Sequence, residues 1–588
     1  MDRESLNRAW PWAASLISGI LLAFCYPRFD AANLIWLWQT PLLAALWFSK
    51  PGKSKTHRWR RGFLLGFIAG LGFFLISLFW LWEMRKVAES FWAGLAAWLA
   101  LPGYLALYFG AFGAFAATIG RWKPDFDEVE KSGEKSKLNL FGPSLAVLKI
   151  AILNGAAWCG LEWMRGVFLT GFSWNGLGVA LHETIVLTQI ADIIGVTGLS
   201  FFIVFVNCIA LATATRLFRE FRERKRMRPH LDFAAGVGTI MALFLYGLGK
   251  INDVPEKTVD IRAAIIQLNT SIEDKFSGDH DTIRDTLFAY RDLTHGYVAS
   301  GQIDLVIWPE TAIPLRFTYQ NCQQYFNEMV LPVADFNLIT GIEEENFGAD
   351  PEDEEIFNSA VLMRGSTADY QSHKKVHLVP FGEFIPFRKA PLPVFDWMFG
   401  GIVPVDFSAG TSFEPLKMET LAGEEIGIAP LICFEDTMGD LTRKFVRPGP
   451  QLLVNVTNDG WFYDSPQSQQ HLANAVFRCI ETRRPMARAA NTGVSAFIDE
   501  RGSLYDRYSG EIPDNEAERR RNRRIIQDDR TGNTYILGAM SHELKIPAEP
   551  PITFYAQHGD LFSKVAGILA LAAILFHAGG RLRQRKTK

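Results

Sequence analysis

The 588-residue chain is poor in cysteine, with six in all, and poor in net charge, with 60 Lys and Arg against 63 Asp and Glu and a formal balance of -3. Cysteines this few and this irregularly spaced (Cys25, Cys159, Cys208, Cys322, Cys433, Cys479) make neither a disulfide framework nor a zinc site. A balanced charge gives no basic field to displace phosphate counterions, which argues against wholesale nucleic-acid binding. The sequence also lacks a Walker A loop, a dinucleotide fingerprint and a solenoid repeat. No cofactor and no metal are therefore expected. A cleavable signal peptide is missing too: the first apolar run has no small-x-small site and leads into Tyr26, Pro27 and Arg28, so it is expected to stay in the protein.

What is present is a chain of two compositions. Its mean hydropathy of +0.06 averages a greasy part with an ordinary soluble one. Long apolar runs occupy Trp12 to Phe24, Ala32 to Phe48, Phe63 to Trp82, Phe91 to Ile119, Leu145 to Trp163, Leu187 to Thr215 and Phe233 to Leu248, and one more lies at Leu561 to Ala578. Most approach or exceed the roughly 20 residues that cross a bilayer core, which predicts eight membrane spans. The expected organisation is a membrane domain over 1–250 with seven spans, an exported α/β domain over 251–555, and a last span with a basic tail over 556–588.

Orientation follows from Lys and Arg, which stay on the cytoplasmic side. Lys50, Lys53, Lys55, Arg58, Arg60 and Arg61 follow the second run, Arg121, Lys123, Lys131, Lys135 and Lys137 the fourth, and Arg216 to Arg228 the sixth. Arg581, Arg583, Arg585, Lys586 and Lys588 close the chain. With eight spans all four clusters share one side, so both termini are expected in the cytoplasm and residues 250–560 across the membrane. The acidic stretch Glu343 to Glu355 and the cluster Arg519 to Arg524 read as solvated loops.

The exported part alternates β-like runs (Val259 to Gln267, Ile303 to Ile307, Phe336 to Thr340, Ser359 to Met363, Ile426 to Cys433, Leu452 to Val456) with helical pattern at Asp281 to Ala299 and Gln469 to Thr482. This predicts layered α/β architecture with chemistry at strand ends. Three residues stand there: Glu310 after Trp308-Pro309, Lys375 before Val376-His377, and Cys433 closing an apolar strand. Singly they read as a cap, a solvated cation and a core thiol. Together they supply the base, the cation and the nucleophile that acyl transfer through a thioester needs.

In the contexts Trp308-Pro-Glu310-Thr, His377-Leu-Val-Pro-Phe-Gly-Glu383, Asn455-Val-Thr-Asn458-Asp459-Gly-Trp461-Phe462, Gln470-His471, Arg484-Pro485 and Ala490-Asn491-Thr-Gly493, the chain resembles the nitrilase superfamily. Leu161-Glu162-Trp163-Met-Arg165-Gly166, Thr170-Gly171-Phe172-Ser-Trp174 and Gly198-Leu-Ser-Phe in the apolar part resemble its membrane-embedded branch, the apolipoprotein N-acyltransferases. That resemblance implies an αββα sandwich following seven spans. It implies a bacterial inner-membrane enzyme whose catalytic domain faces the periplasm. Its reaction would pass an acyl chain from a phospholipid, expected to be phosphatidylethanolamine, through a Cys433 thioester to the α-amino group of a diacylglyceryl-cysteine on an apolipoprotein. Glu310 would be the base and Lys375 the oxyanion partner, chosen over Lys374 because the family spaces its lysine eight residues before the glutamate of Pro-Phe-Gly-Glu. The chain is expected to act as a monomer.

The same resemblance marks supporting positions. Glu383 and Glu435 would orient Lys375 or tune protons, with a structural ion pair or cap as the other reading. Asn358 is near the site or caps a turn. Asn455 to Phe462 reads as a strand running into Asx turns that brace Cys433, with Trp461 and Phe462 rimming an acyl site. Glu162 and Arg165 read as an internal pair or interfacial anchor. Two positions depart from the family: Lys275 precedes Phe276 where tryptophan is common, and Phe434 replaces tyrosine. The competing function is a membrane-tethered amidase or nitrilase-type hydrolase, in which water resolves the thioester.

Overall fold

Apolar helices and a two-sheet sandwich form separate parts of the structure, a computed structural model that describes residues 3–50, 58–123, 138–223, 229–253, 255–299, 301–346, 354–386, 406–505 and 522–586. By internal contacts the chain divides into two units. One holds Met1–Phe79, Ala96–Asn252 and Asp560–Lys588, and the other holds Trp80–Leu95 and Asp253–Gly559.

The first unit is helical: α1 (Arg3–Ala23), α2 (Thr40–Phe48), α3 (Arg58–Ser77), α4 (Phe91–Ala116, its first turn counted with the second unit), α5 (Leu138–Arg165), α6 (Ala191–Arg222), α7 (Leu231–Asn252) and the C-terminal helix Leu561–Lys586. Among the described residues six of these (α3 to α7 and the C-terminal helix) are long and apolar enough to cross a bilayer. The eight expected spans are not all single long helices. The second run breaks into a short turn over Ala32–Trp36 and the nine-residue α2, too short to span at about 1.5 Å per residue. Its freed backbone groups are met by one side chain of α6: Asn207 Nδ2 donates to Ile35 O at 2.9 Å, and Asn207 Oδ1 accepts from Gln39 N at 3.2 Å. The third run ends as a helix at Ser77, not at Trp82. Of the basic clusters, Lys53, Lys55, Lys131, Lys135, Lys137, Arg224 to Arg228 and Lys588 lie outside the described residues.

The second unit contains β1 (Thr258–Gln267), α8 (Ile272–Phe276), α9 (His280–Val298), β2 (Leu305–Trp308), β3 (Asn337–Asn346), β4 (Glu355–Arg364), β5 (Ser366–Lys374), β6 (Leu416–Glu419), β7 (Glu425–Ile432), α10 (Gly439–Val446), β8 (Leu452–Thr457), α11 (Gln467–Thr482), β9 (Met486–Ala490), β10 (Ala496–Ile498) and β11 (Gly538–Pro547). A six-stranded sheet runs β11-β1-β2-β3-β4-β5 and a five-stranded sheet runs β10-β9-β8-β7-β6. Strands β1, β2 and β3 are mutually parallel, as are β7, β8 and β9, and the outer strands are antiparallel.

Alternation along each strand sorts the side chains into layers. Ile261, Ala263 and Ile265 of β1, with Leu305, Ile307 and Ile339, face Ile426, Ile428, Leu452, Val454 and Ala487 of the other sheet, and this forms the central core. Ala264, Ile266, Val306, Trp308 and Leu338 point the other way, onto Tyr290 and Val298 of α9. Helix α11 is buried at every position but Gln469. The result is the expected αββα sandwich.

The sequence missed β5, β6, β9, β10 and β11. Two charged stretches also proved less solvated than expected. Glu344 and Glu345 are buried on β3, where Glu345 pairs with Arg316 and Glu344 accepts from Ser372 of β5. Arg524 is buried with its Nη2 donating to Tyr505 O at 2.7 Å. Residues 347–353 and 519–521 of these stretches lie outside the described residues.

Candidate active site

Each of the three chemical residues leaves the end of a strand. Glu310 follows β2. Its backbone is seated against Gly341 of β3, where Ala312 N donates to Gly341 O at 2.9 Å and Gly341 N to Pro309 O at 3.1 Å. A Cβ on Gly341 would sit 2.5 Å from the Glu310 Cα, so only glycine allows this approach. The next residue, Thr311, has φ +42°. Lys375 follows β5, and Cys433 follows β7 at φ +54°, a left-handed conformation costly for a residue with a Cβ. Such a sharp turn pushes a nucleophile out of the sheet end. Cys433 is half-buried while the other five cysteines are buried and free.

Lys375 is 1% exposed. Its Nζ lies 2.8 Å from Glu383 Oε1 and 3.7 Å from Glu310 Oε1. Asn358 of β4 bridges the two carboxylates, donating from Nδ2 to Glu310 Oε1 at 2.8 Å and to Glu383 Oε1 at 2.9 Å. Glu383 Oε2 accepts from Val379 N at 2.8 Å. Burial alone would lower the Lys375 ammonium, but Glu383, Cys433 and Glu310 together raise it, so it stays a cation. Lys374 points elsewhere, its Nζ 3.6 Å from the centre of the Phe357 ring.

The thiol of Cys433 is pushed up by burial and by Glu310, against the opposite pull of Lys375 and Thr457. At neutral pH it is therefore a thiol that needs a base. Glu310 Oε2 is buried and, among the described residues, has no hydrogen-bond partner, which leaves it available to accept a proton.

The remaining expected positions form the frame. Glu435, fully buried, accepts from Val376 N (2.8 Å), His377 N (2.9 Å) and Ile432 N (2.8 Å), tying the Lys375 segment to the Cys433 turn. Burial pushes its carboxyl up to about 7 despite those donors. Phe434 is half-buried with its ring stacked on His377 at 6.3 Å. Asn455 Nδ2 donates to Cys433 O at 3.2 Å, and Asn458 Oδ1 accepts from Gly460 N at 3.1 Å, the expected Asx turn. Trp461 is half-buried on this turn. In the helical unit Glu162 accepts from Trp158 Nε1 and Leu177 N, both at 3.0 Å, while Arg165 Nη2 donates to Ser173 O at 3.4 Å. These two charges find separate partners.

Behind the Cys433 turn lies an arrangement not foreseen. His471 of α11 contacts Asp436 Oδ1 through Nε2 and Asp459 Oδ1 through Nδ1, each at 2.7 Å. Arg488 of β9 closes the ring, 3.4 Å from Asp436 and 3.3 Å from Asp459. Burial lowers the imidazolium, but Asp436 and Asp459 outweigh it and Arg488, and His471 is raised to about 9. One charged histidine thus locks together the turns after β7 and β8. His471 stood in a quoted motif and Gly341 directly follows the β-like run Phe336 to Thr340, but neither signal named the partners, which come from other strands.

Residues 18–209 match the family described as "Apolipoprotein N-acyltransferase N-terminal domain", and residues 262–511 match "Carbon-nitrogen hydrolase". An apolipoprotein N-acyltransferase of Geobacter metallireducens is 31% identical over 568 residues, covering 96% of this chain and 94% of that one. One of Rhodopseudomonas palustris is 29% identical over 585 residues, covering 96% of each. The crystal structure of Saccharomyces cerevisiae Nit3, a member of branch 10 of the nitrilase superfamily, aligns with a TM-score of 0.32 at 14% identity, over 49% of this chain and 90% of that one.

Two outcomes are expected. Gly341→Ala displaces Glu310 and lowers activity by about 100-fold, the scale of a catalytic group misplaced by about 1 Å, at a stability cost of about 1–3 kcal/mol that leaves the protein folded; unchanged activity would refute the seating role. For His471, a folded pKa near 9 against about 6.5 unfolded means that its contribution is complete below about pH 6.5 and is lost as pH rises through about 9. The stability gap between wild type and His471→Gln, roughly 3 kcal/mol by linkage, should shrink over that window in thermal melts taken across pH. A pH-independent gap would show that the histidine is neutral.

Proposed function

The chain belongs to the apolipoprotein N-acyltransferase family, and we propose that Glu310, Lys375 and Cys433 carry its acyl transfer. The observation that supports this most directly is the junction of a buried lysine with two carboxylates beside the one half-buried cysteine among the six. In the first half-reaction Glu310 takes the Cys433 proton as sulfur attacks the ester carbonyl of a phospholipid. The oxyanion that forms meets the permanent Lys375 ammonium. Collapse expels the lysophospholipid alkoxide, which recovers the proton from Glu310. In the second half-reaction the α-amino group of a diacylglyceryl-cysteine attacks the thioester, giving an amide and free Cys433.

Supporting positions follow the geometry. Asn358 and Glu383 hold Lys375 and Glu310 apart and aligned, and Glu435 fixes the backbone between Lys375 and Cys433. Phe434, next to Cys433 in the chain, and Trp461, on the turn after β8, are the aromatic residues proposed to rim the acyl site. Residues 1–250 and 556–588 anchor the protein as a multi-pass membrane enzyme, and residues 251–555 form the catalytic domain. The donor is a bilayer phospholipid, with phosphatidylethanolamine as the proposed headgroup, and the acceptors are diacylglyceryl apolipoproteins. The catalytic domain faces the periplasm, a reading that rests on the basic loops, and a monomer is the proposed working form.

The decisive measurement is the mass of a diacylglyceryl-cysteine peptide after incubation with purified protein and defined phosphatidylethanolamine. Wild type and Cys479→Ala should add one acyl chain, whereas Cys433→Ala adds none and Glu310→Gln forms no hydroxylamine-sensitive acyl-enzyme. Release of free fatty acid without peptide acylation would instead mark a hydrolase. A cysteine-labelling map of intact cells should place residues 251–555 outside the cytoplasm; cytoplasmic labelling would refute the orientation.

A further inference from the structure

The site contains a second lysine whose surroundings differ in kind from those of Lys375. Lys275 lies on α8, and its Nζ donates to Glu310 O at 3.2 Å and to Thr311 Oγ1 at 2.8 Å. The loop that leads to α8 is fixed to the other sheet, with Asn269 N donating to Asn491 O at 2.8 Å. Both hydrogen-bond partners of Lys275 are neutral oxygens. Lys375, in contrast, is held between two carboxylates. A lysine with carboxylate partners is locked as a cation, and one with neutral partners can give up its proton and keep both hydrogen bonds through its two remaining N–H groups.

The chemistry of the second half-reaction calls for such a group. An α-ammonium becoming an amide loses two protons. One passes through Glu310 to the departing Cys433 sulfur. The other must leave before attack, because an ammonium has no lone pair, and Glu310 cannot hold both. We propose that Lys275, in its amine form, takes this first proton from the α-ammonium of the acceptor. The balance is then closed: Lys275 becomes an ammonium as the acceptor becomes a free amine, the amine nitrogen bonds to the acyl carbon, and the carbon–sulfur bond breaks. Glu310 carries the second proton to sulfur, and Lys275 returns its proton to water.

The charged and titratable groups around Lys275 fit the role. Burial lowers its ammonium to about 8, against the upward pull of Glu310 after β2, Glu343 on β3 and Cys433 after β7. That lies beside the ordinary range of an α-amino group, about 7.7–8.0, so proton exchange between the two is nearly isoenergetic. Lys275 is also half-buried, not sealed in the core.

This inference rests on the two-step reading above, and the experiment separates them by timing each half-reaction in the purified full-length protein. Acylation of Cys433 by phosphatidylethanolamine is followed by lysophospholipid release, and transfer by mixing the isolated acyl-enzyme with diacylglyceryl-cysteine peptide. Lys275→Met and Lys275→Arg should both acylate within about threefold of wild type and both slow transfer at pH 7 by about 100-fold, the scale of removing a general base. Transfer by the variants should recover as pH rises and the peptide amine loses its own proton. Hydroxylamine, already neutral at pH 7, should discharge the variant acyl-enzymes at the wild-type rate. Full transfer by Lys275→Arg, parallel loss of both half-reactions, or unchanged transfer would each overturn the proposal. Failure of wild type to acylate would overturn the two-step reading instead.

Discussion

The catalytic unit depends on one constraint: a lysine ammonium and a thiol share a buried space in which neither is stable without its neighbours. Lys375 is out of water with Glu383 at 2.8 Å and Glu310 at 3.7 Å, and two carboxylates so close to each other repel. The single Asn358 amide, donating to both, makes the pair tolerable. Removal of any member would leave a buried charge uncompensated, which costs far more than the intact set contributes. That is why the frame around the site is polar, and why Glu435 accepts backbone N–H groups from both the Lys375 segment and the Cys433 strand.

The constraint can be met because the site is built across the sandwich. Glu310 and Lys375 leave strands of the six-stranded sheet, and Cys433 leaves the five-stranded one. Their separation is therefore set by the packing of the two sheets, whose interdigitated side chains leave few voids and transmit strain. Two left-handed residues, Thr311 and Cys433, sit at the turns where the acid and the nucleophile emerge. Their strain is borne by the core and by the ring of Asp436, His471, Asp459 and Arg488 behind them.

The sandwich was legible where strands are buried on both faces. Apolar runs such as Ile426–Ile432 and Leu452–Val456 are visible without any partner. Edge and outer strands were not. β5 reads Ser-Thr-Ala-Asp-Tyr-Gln-Ser-His-Lys, with too few apolar residues for composition to mark it, yet it delivers Lys375. The motif spacing chose correctly between neighbours that the structure separates: Lys374 lies over Phe357 and Lys375 is buried among carboxylates. What spacing could not convey were partners from distant strands. His471 stood in a quoted motif, but its two aspartates come from the turns after β7 and β8. Lys275 was visible only as the neighbour of a departure at Phe276, and its meaning lies in the neutral character of the oxygens it touches.

Composition also failed at the end of the third apolar run, and the reason is informative. Trp80 and Trp82 prolong a hydrophobic stretch, so hydropathy assigns them to a membrane helix. Yet Trp80–Leu95 belongs by contacts to the catalytic unit. The Trp80 indole donates to Gln470 at 3.2 Å, beside His471, and its ring meets Phe462 edge-on at 4.4 Å. Lys86 lies 4.1 Å from the centre of the Tyr463 ring, and the Tyr463 hydroxyl donates at 2.6 Å to Glu273 of α8, the helix that carries Lys275. An aromatic side chain with a polar atom satisfies hydropathy and a hydrogen bond at once, and only the hydrogen bond distinguishes the two placements. These contacts join a stretch between two apolar helices to both the turn after β8 and α8. The residues that surround the reacting thiol are thus braced from a part of the chain whose sequence reads as membrane.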